Sequence, residues 1–143
     1  MPDDTRKLGS SSPPAARARG PAVLVIDDDA AIVHSLASVF ESYGVPIATA
    51  RDGAKGLAKF RRIKPVVVLT DVIMPERDGI GVLVEMRRER PEIKIIVMSG
   101  GGRIGKSDFL TVAHKLGADS IIQKPLNIDE VVAKVRAYLA PSV

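Results

Sequence analysis

The chain of 143 residues contains no cysteine and no tryptophan, and it has only two histidines. Without cysteine there can be neither disulfide bonds nor thiolate metal sites. His34 and His114 lie on different segments, so they cannot form a histidine-rich metal site. No apolar run approaches the roughly 18 residues that a membrane-spanning helix needs. These absences predict a cytoplasmic protein without a membrane partner.

Aromatic residues are also scarce, at 3% of the chain, and the formal net charge is modest, at +4. Half of that charge lies in the first twenty residues, and we expect the rest to be spread over the body of the protein. A nucleic-acid binder more typically concentrates positive charge on one face and adds aromatic side chains for stacking. We therefore do not expect nucleic acid to be a partner.

The first 21 residues differ in composition from the rest of the chain. They are rich in Pro, Ser, Gly and Arg and have no apolar periodicity, which predicts a disordered tail. Apolar patterning begins near Ala22 and continues almost to the end. We therefore predict one folded domain over 22–140, followed by a short C-terminal end at 141–143.

Within that domain, strand-like and helix-like patterns alternate five times. The strand-like runs are short and rich in β-branched residues: 22–26, 47–50, 66–70, 93–98 and 120–123. The helix-like patterns between and after them cover 32–43, 53–63, 78–89, 109–116 and 131–139. Continuous apolar strands separated by helices favour a parallel sheet that is covered on both faces. The predicted fold class is therefore α/β, a doubly wound (βα)5 domain.

Polar residues stand where these predicted strands end. Asp27, Asp28, Asp71, Ser99 and Lys124 follow or close four of the five strands. Ligands of open parallel sheets bind beyond the carboxyl ends of the strands, so these side chains should meet at one edge. Taken singly, each of them could be a helix cap, a turn residue or a solvated charge. Together, the carboxylates suit Mg²⁺, and the ammonium and hydroxyl suit a phosphoryl group beside it.

Four segments at these positions resemble the receiver domains of two-component response regulators. They are "VLVIDDDAAI", "VVVLTDVIMPERDG", "IIVMSG" and "IIQKP", in the family's order and spacing. The resemblance covers residues 22 to about 140. It implies a flavodoxin-like sheet with strand order 2-1-3-4-5, and a signalling domain that assists its own phosphorylation and dephosphorylation without being an enzyme.

The resemblance also implies a role for each carboxylate. Asp71 would accept a phosphoryl group from a histidine kinase or a histidine phosphotransfer protein. Asp27 and Asp28 would hold Mg²⁺ together with Asp71 and the backbone carbonyl of Ile73. Carboxylates that converge in this way should raise one another's pKa unless a cation neutralises them.

The remaining matches concern the phosphoryl oxygens and the transmission of the signal. Ser99 would donate a hydrogen bond to one oxygen, and Lys124 would pair with the phosphoryl group, with a cis peptide before Pro125. The sequence departs from the family at Ile121, where the family usually has Tyr or Phe as a switch. The glycines of Gly100–Gly105 are therefore our hypothesis for the mobile element.

Two other readings come from the residues themselves. Gly100–Ser107 satisfies the P-loop pattern, in which Lys106 and Ser107 would bind a nucleotide and its metal. Only 36 residues follow Ser107, fewer than a nucleotide-hydrolysing core needs. A phosphatase with an aspartyl nucleophile would want a second Asp two residues after Asp71, where Ile73 stands.

The sequence therefore predicts a stand-alone receiver, because the short segment after the last helix leaves no room for a DNA-binding output domain. Its partners would be the phosphodonor and a downstream protein target.

Overall fold

The computed structural model describes residues 21–71, 73–74, 77–99, 115 and 117–140. Seven strands lie in these ranges, named in chain order: β1 (Val23–Ile26), β2 (Ile47–Ala50), β3 (Val67–Asp71), β4 (Ile73–Met74), β5 (Arg77–Asp78), β6 (Lys94–Ser99) and β7 (Ser120–Gln123). Four helices accompany them: α1 (Ala30–Ser42), α2 (Gly53–Ile63), α3 (Gly79–Glu89) and α4 (Ile128–Leu139).

Five of the strands form one parallel sheet in the order β2-β1-β3-β6-β7. Counted within the sheet alone, this is the order 2-1-3-4-5, so the predicted topology is confirmed. The chain adds β2 on one side of β1 and all later strands of the sheet on the other side, so the strand order reverses between β1 and β3. These two strands pair with Val23 opposite Val67. The carboxyl ends of both strands therefore lie side by side, where a doubly wound sheet places its ligands.

The sheet is apolar on both faces because helices cover both. Alternate residues of the central strands pack against α1 and α4, where Leu36, Phe40 and Val131 are buried. The residues between them face α2 and α3, where Phe60, Leu83 and Met86 are buried. All four residues of β1 are fully buried, so this strand is fixed from both sides.

A close approach between α2 and β1 depends on glycine. A Cβ atom added to Gly56 would lie 2.5 Å from Cδ1 and 2.8 Å from Cγ1 of Ile26. Carbon atoms that are not bonded do not come this close. Gly56 therefore allows the helix to pack closely onto the sheet.

The helix starts are set by side-chain caps. Asp29 accepts hydrogen bonds from the backbone N–H groups of Ala31 and Ile32, at 3.0 and 3.4 Å, and so caps α1. Asn127 caps α4 in the same way. That helix begins at Ile128, three residues before the apolar stripe of the sequence. The stripe does not include the first turn, because Asp129 and Glu130 are polar. The predicted helix over 109–116 lies largely outside the described residues.

Candidate functional site

Two buried carboxylates lie at the carboxyl end of the sheet. Asp27 directly follows β1 and is 0% exposed, and Asp71 closes β3 and is 5% exposed. The strand pairing places Ile26 opposite Thr70, so the two aspartates follow adjacent positions of neighbouring strands. Asp28 stands beside them with an exposed side chain. The three carboxylates each offer an oxygen within 4.8 Å of the other two.

Lys124 provides the positive charge of this cluster. It follows β7, and its ammonium reaches across the end of the sheet, with the side chain only 17% exposed. Nζ donates a hydrogen bond to Oδ2 of Asp71 at 2.9 Å. Nζ also lies 2.8 Å from Oδ2 of Asp27, with which it forms a buried ion pair. The ammonium is thus shared between two carboxylates.

The local backbone holds Asp27 in place and leaves one of its oxygens available. Oδ1 accepts a hydrogen bond from the backbone N–H of Asp29 at 2.9 Å. Oδ2 is buried, and its polar contact among the described residues is the ion pair with Lys124. Because this ammonium is shared with Asp71, the buried charge of Asp27 is only partly balanced, and a further cation could stabilise it.

The cluster carries excess negative charge, and most of that charge is shielded from solvent. Burial raises the pKa of Asp27, and the neighbouring charge of Asp71 adds to the increase, while Lys124 opposes it. Burial alone would lower the pKa of Lys124, but the contacts with Asp27 and Asp71 outweigh burial and raise it. One ammonium therefore faces two buried carboxylates and leaves a net negative charge.

A divalent cation fits this arrangement. The donor set consists of carboxylate oxygens alone, which is the chemistry that Mg²⁺ prefers. Asp27 supplies a buried oxygen whose counter-charge is shared with Asp71, and exposed Asp28 opens the cluster to solvent. The acidic cluster of Asp27, Asp28 and Asp71 could therefore hold a metal.

The other predicted site residues are described only in part. The backbone of Ser99 ends β6 beside β7, where it pairs with Gln123, but its side chain lies outside the described part of the chain. Ile73 belongs to a two-residue antiparallel ribbon, in which it pairs with Asp78. The peptide bond before Pro125 is cis, as the resemblance implied. The P-loop pattern and the Gly100–Gly105 hypothesis both fall on residues outside the described ranges.

Sequence reasoning missed two features of this site. It assigned Lys124 to a phosphoryl group and did not predict that the ammonium is already held by both Asp27 and Asp71. It also missed an open groove of about 650 Å³ that passes beside Lys124. The groove lies between the first turns of α1 and the segment after β7, and it is lined by Ile32, Ser35, Lys124, Pro125 and Leu126 among others. No local sequence pattern predicts such a groove, because its walls come from α1 and from the segment after β7, which are far apart in the sequence.

Comparison with known proteins agrees with this fold. A family model for the response regulator receiver domain matches residues 23–136. The chain therefore belongs to the family of response regulator receiver domains. The match extends over Gly100–Ser107, so the P-loop pattern lies within the receiver domain.

Individual relatives show the same relationship. The chain is 32% identical over 117 residues to the probable transcriptional regulatory protein TcrX of Mycobacterium tuberculosis, which covers 82% of this chain and 49% of TcrX. It is 37% identical over 117 residues to the probable transcriptional regulator ycf27 of Porphyridium aerugineum, with 82% and 47% covered. The chain thus spans about half the length of these curated relatives.

Among solved structures, a CheY-like response regulator receiver domain protein from Methanospirillum hungatei superimposes with a TM-score of 0.75 at 28% sequence identity. The alignment covers 84% of this chain and 94% of that one. Within the described residues, none of the helices combines the length and the apolar character needed to cross a membrane.

Proposed function

We propose that this domain accepts a phosphoryl group on Asp71 from a phosphohistidine of a partner protein and thereby relays a signal through protein contacts. The observation that carries the proposal is the shared ammonium of Lys124, which lies 2.9 Å from Asp71 and 2.8 Å from Asp27. A cation held between two carboxylates can keep its contact with one of them when the other reacts. When Asp71 becomes esterified, Lys124 can keep its contact with Asp27 and pair with a phosphoryl oxygen.

The chemistry assigned to Asp71 is a single displacement. A carboxylate oxygen attacks phosphorus, an O–P bond forms, and the P–N bond to the donor histidine breaks with its electron pair left on nitrogen. Because Asp71 closes a fully buried strand, its carboxylate is held in one position. That positioning supplies much of the advantage that in-line transfer requires.

Asp27 and Asp28 are the residues that we assign to Mg²⁺, together with Asp71 and the backbone carbonyl of Ile73. When bound, the ion would neutralise charge on the phosphoryl oxygens as they approach the carboxylates. We further assign to Ser99 a hydrogen bond to one phosphoryl oxygen, on the strength of the family resemblance.

The groove beside Lys124 is the surface that we assign to the phosphodonor. It is open and mainly apolar, and it runs from the first turns of α1 to Leu126, next to the acidic cluster. A helix of the partner that carries the phosphohistidine could lie against Ile32 and Leu126 and bring phosphorus to Asp71. Burial of these apolar side chains would hold the complex during transfer.

Phosphoryl uptake tests the proposal directly. In the presence of Mg²⁺ and acetyl phosphate, the wild-type chain should incorporate one phosphoryl group that is stable to acid and labile to base. Asp71→Asn should abolish incorporation, because an amide oxygen is a far weaker nucleophile than a carboxylate. Asp29→Asn is the matched control, because Asp29 is a nearby aspartate that caps α1, and it should incorporate label as the wild type does. Uptake by Asp71→Asn at the wild-type rate would refute the assignment.

A further inference from the structure

The charge of this protein is concentrated on one helix, contrary to the even spread expected from the composition. Residues 51–64, which comprise α2 and its flanks, contain six basic residues and one acidic residue. Their net charge of +5 exceeds the +4 of the whole chain, so the rest of the chain is slightly negative. Apart from the first twenty residues, the positive charge is therefore concentrated on α2 and its flanks.

Apart from Lys59, whose ammonium donates a hydrogen bond to the backbone carbonyl of Thr49, the basic residues of α2 divide into two groups according to their partners. On one flank, Arg61 donates hydrogen bonds to Glu89 of α3 and lies 3.6 Å from Glu85. On the outer surface, Lys55 and Arg62 are exposed and have no ion pair with any residue in the described part of the chain. They stand seven residues apart, so they lie two turns apart on one face of the helix.

Helix stability explains only part of this outer surface. A cation near the C-terminus of a helix is favourable, which accounts for Arg61 and Arg62. Lys55 lies in the first turn, where a cation is unfavourable, and its spacing from Lys59 sets like charges side by side. The residues exposed beside these cations are Ala54 and Ala58, which are small and would not hold a partner away. Lys55 is thus a cation that the fold does not use, and Arg62 lies exposed on the same face.

We propose that the outer face of α2, centred on Lys55 and Arg62, docks an acidic helical segment of a partner protein. The pairing of Arg61 with Glu85 and Glu89 shows the mode of recognition within this molecule, because a basic residue of α2 binds carboxylates spaced four residues apart on a neighbouring helix. An acidic segment on the outer side would meet Lys55 and Arg62 in the same manner. Scarcity of aromatic side chains and of large exposed apolar residues on α2 favours a carboxylate-bearing helix over stacked bases or a lipid surface.

This docking surface is separate from the candidate site. α2 packs on one face of the sheet, whereas α1 and α4, which flank the groove beside Lys124, cover the other. A segment bound to α2 would therefore leave that groove open. The surface does not depend on phosphoryl transfer, so the two proposals can fail independently.

The test is titration of the intact chain with a synthetic helical peptide whose glutamates recur at i, i+4 and i+7, at low ionic strength. Wild type should bind, and binding should weaken as salt is added. The double variant Lys55→Glu with Arg62→Glu should bind at least about tenfold more weakly. A matched control, Lys115→Glu with Lys134→Glu, changes the net charge equally on other helical positions and should stay within about twofold of wild type.

Three outcomes would overturn the proposal. Wild type that fails to bind the peptide would show a solvated surface, and an equal loss in the control would show an effect of net charge alone. Tighter binding of a DNA duplex, lost in the same double variant, would show a nucleic-acid surface instead. Phosphoryl uptake by the double variant, measured in parallel, should equal that of wild type and would show that it is folded.

Discussion

Lys124→Met removes the ammonium of the site and nearly preserves the volume of the side chain, so its effect on stability measures the charge balance of the acidic cluster. With an effective dielectric constant of about 20, Coulomb's law gives about 6 kcal/mol for an attraction at the 2.8 Å that separates Lys124 from Asp27. The repulsion between carboxylate oxygens within 4.8 Å is about 3.5 kcal/mol or more.

Most of the attraction is offset by the desolvation of the ammonium. Removal of one partner of a buried ion pair destabilises proteins by about 3–5 kcal/mol. We expect about 3 kcal/mol, at the lower end, because Asp27 can take up a proton when the ammonium is gone. Added Mg²⁺ should restore part of the loss, because it would bind more tightly to a cluster of higher negative charge.

The loss should depend on pH, and its sign follows from Asp27. The pKa of this carboxyl is raised in the folded protein, chiefly by burial. A raised pKa stabilises the fold at low pH and ceases to do so as the pH rises through the folded pKa. Because Lys124→Met raises that pKa further, the deficit should be small near the pKa of an unfolded aspartate, about 4, and large at neutral pH.

Urea unfolding at several pH values, with and without Mg²⁺, measures these effects. A loss of about 3 kcal/mol corresponds to a midpoint lower by about 1.5 M, for a slope of about 2 kcal/mol per molar. Lys134→Met on α4 is the control, because Lys134 has no ion pair within the described residues. An unchanged midpoint at neutral pH, or a deficit that does not vary with pH, would refute this account of the site.

Three further predictions concern the fold and the metal. Gly56→Ala should lower the free energy of unfolding, measured in urea, by about 1–3 kcal/mol. Adding Ile26→Val should recover part of the loss, because it removes Cδ1. An equal loss with and without Ile26→Val would contradict the close contact. Arg87→Lys should destabilise by about 2 kcal/mol, because the lysine cannot reproduce the hydrogen bonds to Gly117 and Asp119, whereas phosphoryl uptake at the opposite end of the sheet should not change. Asp28→Asn should weaken Mg²⁺ binding about tenfold in a calorimetric titration; unchanged affinity would remove Asp28 from the metal site.

The sheet could be predicted closely from the sequence because its strands are buried on both faces. Continuous β-branched runs placed the five strands within one residue of their observed bounds. Strands β4 and β5 escaped prediction, since elements of two residues are too short to show periodicity. The N-terminal turn of α4 was missed for a related reason, because Asp129 and Glu130 are polar and add nothing to an apolar stripe.

The acidic cluster could be predicted only as a set of residues that meet at one edge of the sheet. Strand order brings Asp27 and Asp71 together, and the sequence pattern is sufficient for that step. The sharing of the Lys124 ammonium depends on the reach of a long side chain across three strands, which no local pattern records. The basic surface of α2 was hidden in the composition because negative charge elsewhere cancels it.

The most direct test of the central claim is to locate the phosphoryl group after reaction with a phosphodonor and Mg²⁺. Borohydride reduces an aspartyl phosphate to homoserine, which mass spectrometry of the digested chain can assign to one residue. We predict homoserine at position 71 in the wild-type chain and no conversion in Asp71→Asn. Homoserine at position 27 or 28, or none at any aspartate of a chain that has taken up label, would contradict the claim.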